Sequence, residues 1–600
     1  MQNWFVRCGG RRDIRCEVCR ARCLSHERHL AIMHGKHRGA TTGLKTKNFA
    51  EALRTARQKQ HRVLLVLSGT HAWCKEYASV WYGNATQRVW IGDAADHPEA
   101  ITIAKAKQVL GSEYAMAVLD AHAGLSPDCL AAVCGTVVVA GGVLIILTPT
   151  WNQWGKTPDI DYARLASYPH DSANLSAHFL ARLRTALENF SESSAVCFHW
   201  REEEDNDEFL SSIVVPQSVK KQRTTAIPTA EQQHCLQQLQ AHNGISVLLA
   251  DRGCGKSATL GFAARDWMEQ GESVLLVAPS RAAAASVFRY AGNDLAFSSP
   301  DNLLADKNAT ADILLIDEAA AIPLPMLLAL LERFPHAVLA TTADGYEGTG
   351  QGFVLRFLHE LDKQFPAWQR LTLDAPIRWA KNDPLQQWLY DTLLLNAQAP
   401  VFKEVDINVS SVIFESISQA QLAQDEVLLN EIYGLLRSAH YRTTPDDLRF
   451  LLDAPSVSIY RLVLQGRTLA VALLVEEGEI DTAMASEIAA GKRRPRGHML
   501  VQSLAIHLQQ PQFLQQRVAR VVRIAVHPQF QAQGLGSQLL QEIVQRKKEE
   551  GVSAVGSSFS ASPEVVRFWQ KNGFELLRVG HRRQAASAEP SALVLMTFDN

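Results

Sequence analysis

The sequence lacks net charge and long apolar runs. Its 60 basic and 62 acidic side chains leave a formal charge of −2 over 600 residues. Any nucleic-acid surface must therefore be a local basic patch. The best candidate for a membrane span, Val137–Leu147, is too short and contains two glycines. With no secretory signal at the start, these features predict a cytoplasmic protein without a membrane partner.

Cysteine is sparse after the first 25 residues, as expected in a reducing cytosol. Residues 1–45 are basic and combine Cys8, Cys16, Cys19 and Cys23 with several histidines. Because this stretch has little apolar periodicity, we expect a disordered tail or residues translated from an upstream start codon. A zinc site is the alternative.

A chain of this length predicts several domains, and its fold class is α/β. Apolar strands alternate with helical patterns over residues 50–200, which indicates a parallel α/β domain with no catalytic spacing. Asp120, at a strand end, is a candidate functional residue, but the pattern favours a helix-capping or turn role. The acidic run Glu202–Glu208 predicts a linker. We expect further domains at 224–400 and 402–582, with 583–600 as a short remnant.

A phosphate-binding loop follows the strand Ile245–Leu249. The segment ADRGCGKS, residues 250–257, has the form [A/G]xxxxGK[S/T]. Gly253 and Gly255 supply flexibility, Lys256 would reach the β- and γ-phosphates, and the Ser257 hydroxyl would bind Mg²⁺. This loop predicts nucleotide binding, without deciding between ATP and GTP.

The loop needs an acidic partner, and the strand ILLI that precedes Asp317 and Glu318 supplies it. Asp317 would hold Mg²⁺ through water, and Glu318 would orient or deprotonate the attacking water. Gln232 lies in a segment that resembles the adenine-reading motif of RNA helicases. Arg378 would stabilise charge on the γ-phosphate, although a surface ion pair is the alternative.

Two further segments predict RNA contact. The glycine-rich loop DGYEGTGQGF, residues 344–353, would let an RNA strand approach the backbone, or is an irregular connection. A basic loop suits phosphate contacts, and a solvated loop is its alternative. Its cations are Lys492, Arg493, Arg494 and Arg496.

The most informative stretch is RIAVHPQFQAQGLGSQLL, residues 523–540. A strand, a glycine loop and a helix N-terminus form an anion site, and Gly534 and Gly536 allow a close approach to a pyrophosphate. The pattern QxxGxG resembles the acetyl-CoA loop of GNAT acetyltransferases. An ordinary strand-to-helix turn is the alternative. A second strand–helix unit, residues 553–570, continues into FWQKNGFELLRVG, which is similar to the closing segment of GNAT folds.

The motifs GYEGTGQGF, APIRWA, GKRRPRGHMLVQSL and RIAVHPQFQAQGLGS occur in this order. From about Arg62 to Gly580, the chain resembles the bacterial tRNA(Met) cytidine acetyltransferase family. The resemblance implies ATP-dependent N4-acetylation of the wobble cytidine, in the anticodon loop of elongator tRNA(Met), by acetyl-CoA. It implies ATP contacts at Gln232, Gly253, Cys254, Gly255, Lys256, Ser257, Ala258 and Arg378.

The resemblance also implies a set of acetyl-CoA contacts around the glycine loop and the following helix. They are Ile524, Ala525, Val526, Gln531, Ala532, Gln533, Gly534, Leu535, Gly536, Ser537, Glu564 and Lys571. Arg is commoner in the family at the last position, so Lys571 keeps the charge without the bidentate fork.

Several questions stay open at this level. The family carries a further C-terminal tRNA-binding domain, for which residues 582–600 are too few. Either the form is truncated, or RNA docking depends on the ATPase and the basic loop. His527 and His498 are candidates for the catalytic base, and a water relay is the alternative. An ATP-driven RNA remodeller and a protein N-acetyltransferase with an accessory ATPase are competing functions. No pattern predicts the oligomeric state.

Overall fold

The computed structural model describes residues 42–138, 142–204, 227–342, 351–402, 411–439, 443–583 and 589–598. The Cys/His-rich tail before residue 42, the last part of the acidic run and most of the glycine-rich loop, residues 344–350, lie outside these ranges. The described residues form three sheets, two of six strands and one of seven, which confirms a multidomain α/β fold.

The strands are β1 (Val63–Ser68), β2 (Arg88–Ile91), β3 (Ala100–Ile101), β4 (Met116–Asp120), β5 (Val143–Thr148), β6 (Cys197–Arg201), β7 (Ile245–Ala250), β8 (Val274–Val277), β9 (Ala296–Ser298), β10 (Ile313–Ile316), β11 (Ala337–Thr341), β12 (Gln369–Leu373), β13 (Ile413–Ile417), β14 (Val457–Leu464), β15 (Arg467–Gly478), β16 (Arg517–Val526), β17 (Ala554–Ser560), β18 (Glu575–Arg583) and β19 (Pro590–Thr597).

The helices are α1 (Thr42–Lys59), α2 (His71–Asn84), α3 (Pro127–Cys134), α4 (His178–Ser193), α5 (Ala230–Ala241), α6 (Lys256–Glu269), α7 (Ala285–Ala291), α8 (Pro300–Ala305), α9 (Leu324–Arg333), α10 (Gln351–Gln364), α11 (Pro384–Leu393), α12 (Gln419–Gln424), α13 (Glu426–Ala439), α14 (Pro445–Asp453), α15 (Thr482–Ala489), α16 (Met499–His507), α17 (Leu535–Glu549) and α18 (Pro563–Lys571).

The first two sheets are parallel throughout. Their orders are β3-β2-β4-β5-β1-β6 and β12-β7-β11-β10-β8-β9. The central strands β1, β5 and β7 are buried along their whole length, so they read as continuous apolar runs and not as alternating patterns. In such sheets the carboxyl ends of the strands share one edge, where ligands usually bind.

The third sheet has the order β13-β14-β15-β16-β17-β19-β18. Its neighbours are antiparallel except for β16 and β17, which run parallel. The expectation that residues 583–600 are a remnant is wrong for the strand β19. This strand lies between β17 and β18 and buries the run from Ala592 to Leu595, because a central strand must cover both faces of the sheet.

The hydrophobic core around the first sheet extends to helices that follow the second sheet in the chain. One cluster of buried side chains joins the first sheet to α11, α13 and α14, so this core reaches beyond the boundary expected at residue 200. At its centre Arg62 and Asp383 form a buried ion pair of 2.9 Å, with side chains 1% and 0% exposed. No helix of the described residues is long and apolar enough to cross a membrane.

Candidate active sites

The phosphate loop connects β7 to α6 at the carboxyl edge of the second sheet. Gly253 and Gly255 have φ values of 88° and 86°, which side-chain-bearing residues rarely adopt. Lys256 opens α6 and is only 6% exposed, and its Nζ lies 3.5 Å from the Asp251 carbonyl oxygen. Ala258 and Cys254 are buried beside it. The loop therefore holds a cation and free helix N–H groups at one enclosed point.

Gln232 is hydrogen-bonded to the phosphate loop. It closes a capping box with Thr229 at the start of α5. Its Nε2 donates to the Gly255 carbonyl at 3.2 Å and to the Thr259 hydroxyl at 3.1 Å. In this conformation the predicted adenine-reading amide holds the loop's shape, and its contact with a base stays a prediction.

A segment after β12 covers the other side of the loop. The Ile377 N–H donates to the Gly253 carbonyl at 2.7 Å. A Cβ on Gly255 would lie 2.3 Å from Ile377 Cδ1, and one on Gly253 would lie 3.3 Å from Trp379. Glu231 accepts the N–H groups of Asp374 and Ala375 at 2.8 and 3.1 Å. Sequence reasoning did not assign Ile377, Trp379 or Glu231 to the site, because the fold alone brings the first two against the loop and the third against the segment that covers it.

Arg378 lies in this segment, but its guanidinium faces the first domain. Its Nη1 donates to the Gly135 carbonyl at 3.4 Å, and its Nε lies 3.6 Å from Glu113 Oε1. The segment's backbone contacts the phosphate loop, whereas these side-chain contacts link it to the neighbouring domain. A role on the γ-phosphate would require the side chain to leave those partners, and it stays a prediction.

The acidic pair follows β10. Asp317 is fully buried and accepts the Ser257 hydroxyl at 3.2 Å through Oδ1. Its Oδ2 is buried without a hydrogen-bond partner. Burial, helped by the charge of Glu318, raises the pKa of Asp317 to about 7. An unsatisfied carboxylate oxygen beside a serine hydroxyl suits a hard divalent cation. The residues present therefore fit the predicted Mg²⁺.

Glu318 adopts a left-handed conformation, with φ of 52°. Its N–H donates to Asp317 Oδ1 at 3.1 Å, and the following turn is bound to β11, where Ala320 N–H donates to the Thr341 hydroxyl at 3.3 Å. A non-glycine residue in this region costs about 1–3 kcal/mol and is concentrated at functional sites. The geometry agrees with a specialised role for Glu318 without testing which one.

The second loop lies between β16 and α17. Gly534 has φ of 87° and precedes α17, and Ala532 also has a positive φ of 60°. Residues 531–534 are exposed, and the first N–H groups of α17 have no partner within the helix. Gln531 and Gln533 donate their amides to the carbonyls of Val526 and Gln529, at 3.2 and 3.4 Å. These two side chains hold the loop and leave its backbone to bind an anion.

Gly536 lies close to the strand and to α18. A Cβ built there would lie 3.3 Å from Val526 Cγ2 and 3.4 Å from Phe568. Leu535 is buried, whereas Gly536 and Ser537 are half-buried. Glu564 and Lys571, at the two ends of α18, are exposed. They share one face of that helix, about 10 Å apart along its axis. Phe568, which sequence reasoning did not single out, lies on this helix against Gly536.

Next to this loop the third sheet opens. The parallel pairing of β16 with β17 runs from Val518 with Ala554 to Val521 with Ser557 and then stops, although both strands continue. On its other side β16 stays paired with β15 through Val526. Residues 522–526, which include Ile524 and Ala525, therefore present one backbone edge to a wedge between strands. An extended amide chain fits such an edge by adding hydrogen bonds to it.

The two histidines proposed as catalytic bases are both engaged by backbone groups. Nδ1 of His527 accepts the Gln529 N–H at 3.3 Å, and Nε2 of His527 donates to the Pro400 carbonyl at 2.7 Å. Burial lowers the pKa of His527. Nδ1 of His498 accepts the Gly478 N–H at 2.9 Å, and Nε2 of His498 donates to the Tyr168 carbonyl. Neither ring has a nitrogen left to accept a substrate proton, so this geometry argues against both assignments.

The predicted RNA-binding cations occupy an exposed loop beside the first domain. Lys492, Arg493, Arg494 and Arg496 are all exposed. Arg493 lies 3.6 Å from Glu487, and Arg496 donates to the Ala163 carbonyl. The Tyr168 N–H in turn donates to the Arg496 carbonyl at 3.1 Å. The loop is thus positioned at a junction between two domains, while its RNA contacts stay a prediction.

Known proteins resemble the chain along most of its length. Residues 33–196 match the N-terminal family described as tRNA(Met) cytidine acetyltransferase TmcA. Residues 247–396 match the helicase domain of RNA cytidine acetyltransferase NAT10/TcmA, and residues 431–551 match GNAT acetyltransferase 2.

Two curated relatives are named tRNA(Met) cytidine acetyltransferase TmcA. The protein from Nitrosococcus halophilus is 35% identical over 581 residues, which cover 91% of this chain and 76% of the relative. The protein from Photorhabdus asymbiotica is 36% identical over 547 residues, which cover 90% and 76%. Among solved structures, the ribosomal-protein-S18-alanine N-acetyltransferase of Escherichia coli covers 32% of this chain at 14% identity, with a TM-score of 0.22 that carries no argument.

The fold and the two loops define an acetyltransferase of the GNAT type joined to a helicase-like domain with a phosphate loop. Sequence identity above 30% over three quarters of the relatives' length identifies the family within this class of enzymes. The chain belongs to the tRNA(Met) cytidine acetyltransferase TmcA family.

Proposed function

We propose that this chain transfers the acetyl group of acetyl-CoA to N4 of the wobble cytidine in elongator tRNA(Met), with ATP hydrolysis by the second domain. The observation that carries the proposal is the opened pair β16 and β17 beside the glycine loop of α17, in the same chain as a complete phosphate loop. The curated relatives named above supply the tRNA substrate by family membership. The location we propose is the cytoplasm, where all three substrates occur.

For acetyl-CoA, the exposed backbone of residues 531–537 would bind the pyrophosphate, because helix N-termini and positive-φ glycines expose N–H groups to anions. The free edge of β16 at Ile524–Val526 would bind the pantetheine amides. Glu564 and Lys571 would contact the cofactor along α18. Acetyl-CoA supplies the thioester that the amine attacks, and the chain's own contribution is to hold both groups in line.

For ATP, Lys256 and the loop N–H groups would hold the phosphates, with Ser257 and Asp317 around Mg²⁺. The ion would satisfy the orphaned Oδ2 of Asp317 and favour its ionised form. Glu318 would position the attacking water. Since the loop is braced through Ile377 and Trp379 to the first domain, a change at the phosphates has a direct route to that domain.

For tRNA, the exposed cations at residues 492–496 would contact backbone phosphates. One of them, Arg496, joins the third domain to the first at Ala163 and Tyr168, so RNA bound there would touch both. The cytidine amine is conjugated with its ring and is a poor nucleophile. With His527 and His498 bonded to the backbone, we propose that ordered water takes the amine proton.

The test uses the purified full chain, radiolabelled acetyl-CoA and elongator tRNA(Met), with and without ATP, followed by nucleoside analysis. We expect label on the wobble cytidine that rises with ATP. Lys256→Ala should lower ATP hydrolysis and ATP-stimulated labelling by about 10²–10³-fold, because it removes a preorganised cation from the transferred charge. Acetyl-CoA binding should not change. Lys363→Ala, an exposed lysine at the end of α10, is the matched control.

Two results would overturn the proposal. Label that appears only on protein would favour a protein N-acetyltransferase with an accessory ATPase. RNA-stimulated ATP hydrolysis with no label on any acceptor, while acetyl-CoA still binds, would favour an RNA remodeller.

A further inference from the structure

Three side chains with metal-ligating atoms meet at the carboxyl edge of the first sheet. β1 ends at Ser68, and Thr70 caps α2, whose first residue is His71. β4 ends at Asp120, and His122 follows two residues later. Because β1 and β4 run parallel in the same sheet, with β5 between them, these two ends lie near each other at its carboxyl edge. The sequence shows no such cluster, since 49 residues separate His71 from Asp120.

The ligand atoms lie at the separations that one small ion would bridge. Nε2 of His71 is 2.8 Å from Oδ2 of Asp120, and Nδ1 of His122 is 3.1 Å from Oδ1 of the same carboxylate. All three side chains have ligand atoms within 4.8 Å of one another. Tetrahedral ligands about 2.0–2.1 Å from a Zn²⁺ ion have comparable separations. Among the residues that the structure describes, this is the one group of its kind.

The outer contacts of the two rings match those of metal-bound histidines. Nε2 of His122, the nitrogen that faces away from Asp120, lies 3.2 Å from the Gly69 carbonyl oxygen. Nδ1 of His71, also the outer nitrogen, lies 4.0 Å from Oδ1 of Asp96. Metal-bound histidines usually donate their second N–H to a carbonyl or carboxylate, which fixes the tautomer and the ring orientation. Here His122 has such a partner at hydrogen-bond distance, whereas the Asp96 carboxylate lies beside His71 at the longer distance of an ion pair.

The carboxylate of the cluster is buried in the protein, and its histidines are partly exposed to solvent. Asp120 is 1% exposed, whereas the side chains of His122 and His71 are 14% and 30% exposed. Gly92 packs against the carboxylate, where a Cβ would lie 2.9 Å from the Cβ of Asp120. The carboxylate is thus fixed from the protein side, and solvent reaches the histidine side. A cation there would have three protein ligands and a position for water.

We propose that His71, Asp120 and His122 bind one divalent transition-metal cation, and that Zn²⁺ is the ion they suit best. Two imidazoles and one carboxylate match Zn²⁺, whereas Mg²⁺ and Ca²⁺ require mainly oxygen ligands. The site is separate from both loops described above. It would fasten the turn after β1 to the turn after β4, and its open position would accept water or an anionic group.

The simpler explanation is a hydrogen-bond network around a buried carboxylate. Asp120 Oδ1 also accepts the His122 N–H at 3.0 Å, as a capping residue does. A network of that kind needs no ion and would not distinguish metals. Metal stoichiometry and ligand spectroscopy therefore separate the two explanations.

The experiment uses the full chain with Cys8, Cys16, Cys19 and Cys23 changed to Ser, so that thiolates of the tail do not bind the probe. After chelation and dialysis, Zn²⁺ is added and the bound metal is counted by mass spectrometry. Co²⁺ replaces Zn²⁺ for absorption spectra. The variants are His71→Ala, His122→Ala and Asp96→Ala, with His359→Ala, an exposed histidine on α10, as the control.

We expect about one equivalent of Zn²⁺ in the parent and in His359→Ala, and its loss in His71→Ala and His122→Ala. Asp96→Ala should bind about tenfold more weakly, as an outer-contact change does. Co²⁺ should give visible d–d bands without thiolate charge-transfer bands. Zn²⁺ should raise the Tm of the parent and not that of His122→Ala, because only the native state binds it. Equal metal binding by parent and His71→Ala, or none by the folded parent, would overturn the proposal.

Discussion

The ATP loop and the acetyl-CoA loop are built alike and placed differently. Each runs from a strand through at least one positive-φ glycine into a helix N-terminus. Around Lys256 the loop is enclosed, with Gln232, Ile377 and Trp379 against it. The loop at residues 531–534 is exposed and has no charged side chain. The same backbone device therefore serves two situations.

The difference reflects where chemistry would take place. In the ATP loop the bound phosphates themselves would react, so all water except the attacking molecule must be excluded, and charge must be matched by a lysine and a cation. In the acetyl-CoA loop the pyrophosphate would only anchor a cofactor whose thioester reacts elsewhere, along β16. Backbone N–H groups are enough for an anchor. Bracing by a second domain is thus expected to matter for one loop and not for the other.

Breaking the brace should give the largest effect. Asp383→Ala leaves the buried Arg62 guanidinium unpaired, removes the cap of α11 and loosens Trp379, on which Arg62 lies at 3.7 Å. Loss of one partner of a buried pair costs about 3–5 kcal/mol of unfolding free energy. We expect denaturant unfolding to show that loss, and the KM for ATP to rise while the KM for acetyl-CoA stays unchanged.

The control for this change is Glu269→Ala, which removes the exposed pair with Arg265. Such a pair is worth about 0–1 kcal/mol, so unfolding should hardly move. If Asp383→Ala altered both KM values equally, the contrast between a braced and an unbraced loop would be wrong.

A larger side chain in the acetyl-CoA loop should impair acetyl-CoA binding and leave the ATP site unaffected. Gly536→Val would place methyl groups between Val526 and Phe568. Overpacking of this kind costs about 1–3 kcal/mol of unfolding free energy, and the displacement of the loop that it forces should raise the KM for acetyl-CoA. Steady-state acetylation would measure it, and ATP hydrolysis should stay at the parent rate. Gly83→Val, at a site with no neighbour within 4 Å, is the steric control.

The pH dependence should also differ between the loops. Burial raises the pKa of Asp317 to about 7, so the carboxyl binds a proton as pH falls through that value. A proton and a cation compete for the same oxygen. Mg²⁺-dependent ATP binding should therefore be up to about tenfold weaker at pH 6 than at pH 8, whereas acetyl-CoA binding should hardly change. Titration calorimetry at both pH values would show this, and Asp317→Asn should abolish the dependence.

The smallest expected effect concerns the two histidines near the acetyl-CoA domain. Since backbone groups occupy both nitrogens of His527 and of His498, His527→Gln and His498→Gln should keep kcat within about threefold and lose about 1 kcal/mol of stability each. A pH–rate profile of acetylation is the measurement. A 100-fold loss of kcat in either variant, together with loss of the acidic limb in which the rate rises as the base loses its proton, would restore that histidine as the base.

The sequence by itself determined the fold class, the two loops and the order of the domains. These features depend on local patterns: a buried apolar run makes a central strand, and glycine at a fixed spacing allows a positive φ before a helix. Lys256, Asp317 and Gly534 could be placed from such patterns alone. Local patterns also predict where β14 and α18 begin.

Only the tertiary structure decided which side chains meet. Ile377 and Trp379 contact the phosphate loop from more than 100 residues away, and His71 meets Asp120 across a sheet. The strand β19 inserts between β17 and β18, so it lies inside the sheet although it is the last strand in the sequence. The two histidines that the sequence offered as candidate bases are bonded to backbone carbonyls of distant segments, Pro400 and Tyr168. Such contacts are set by topology and burial, which no local pattern records.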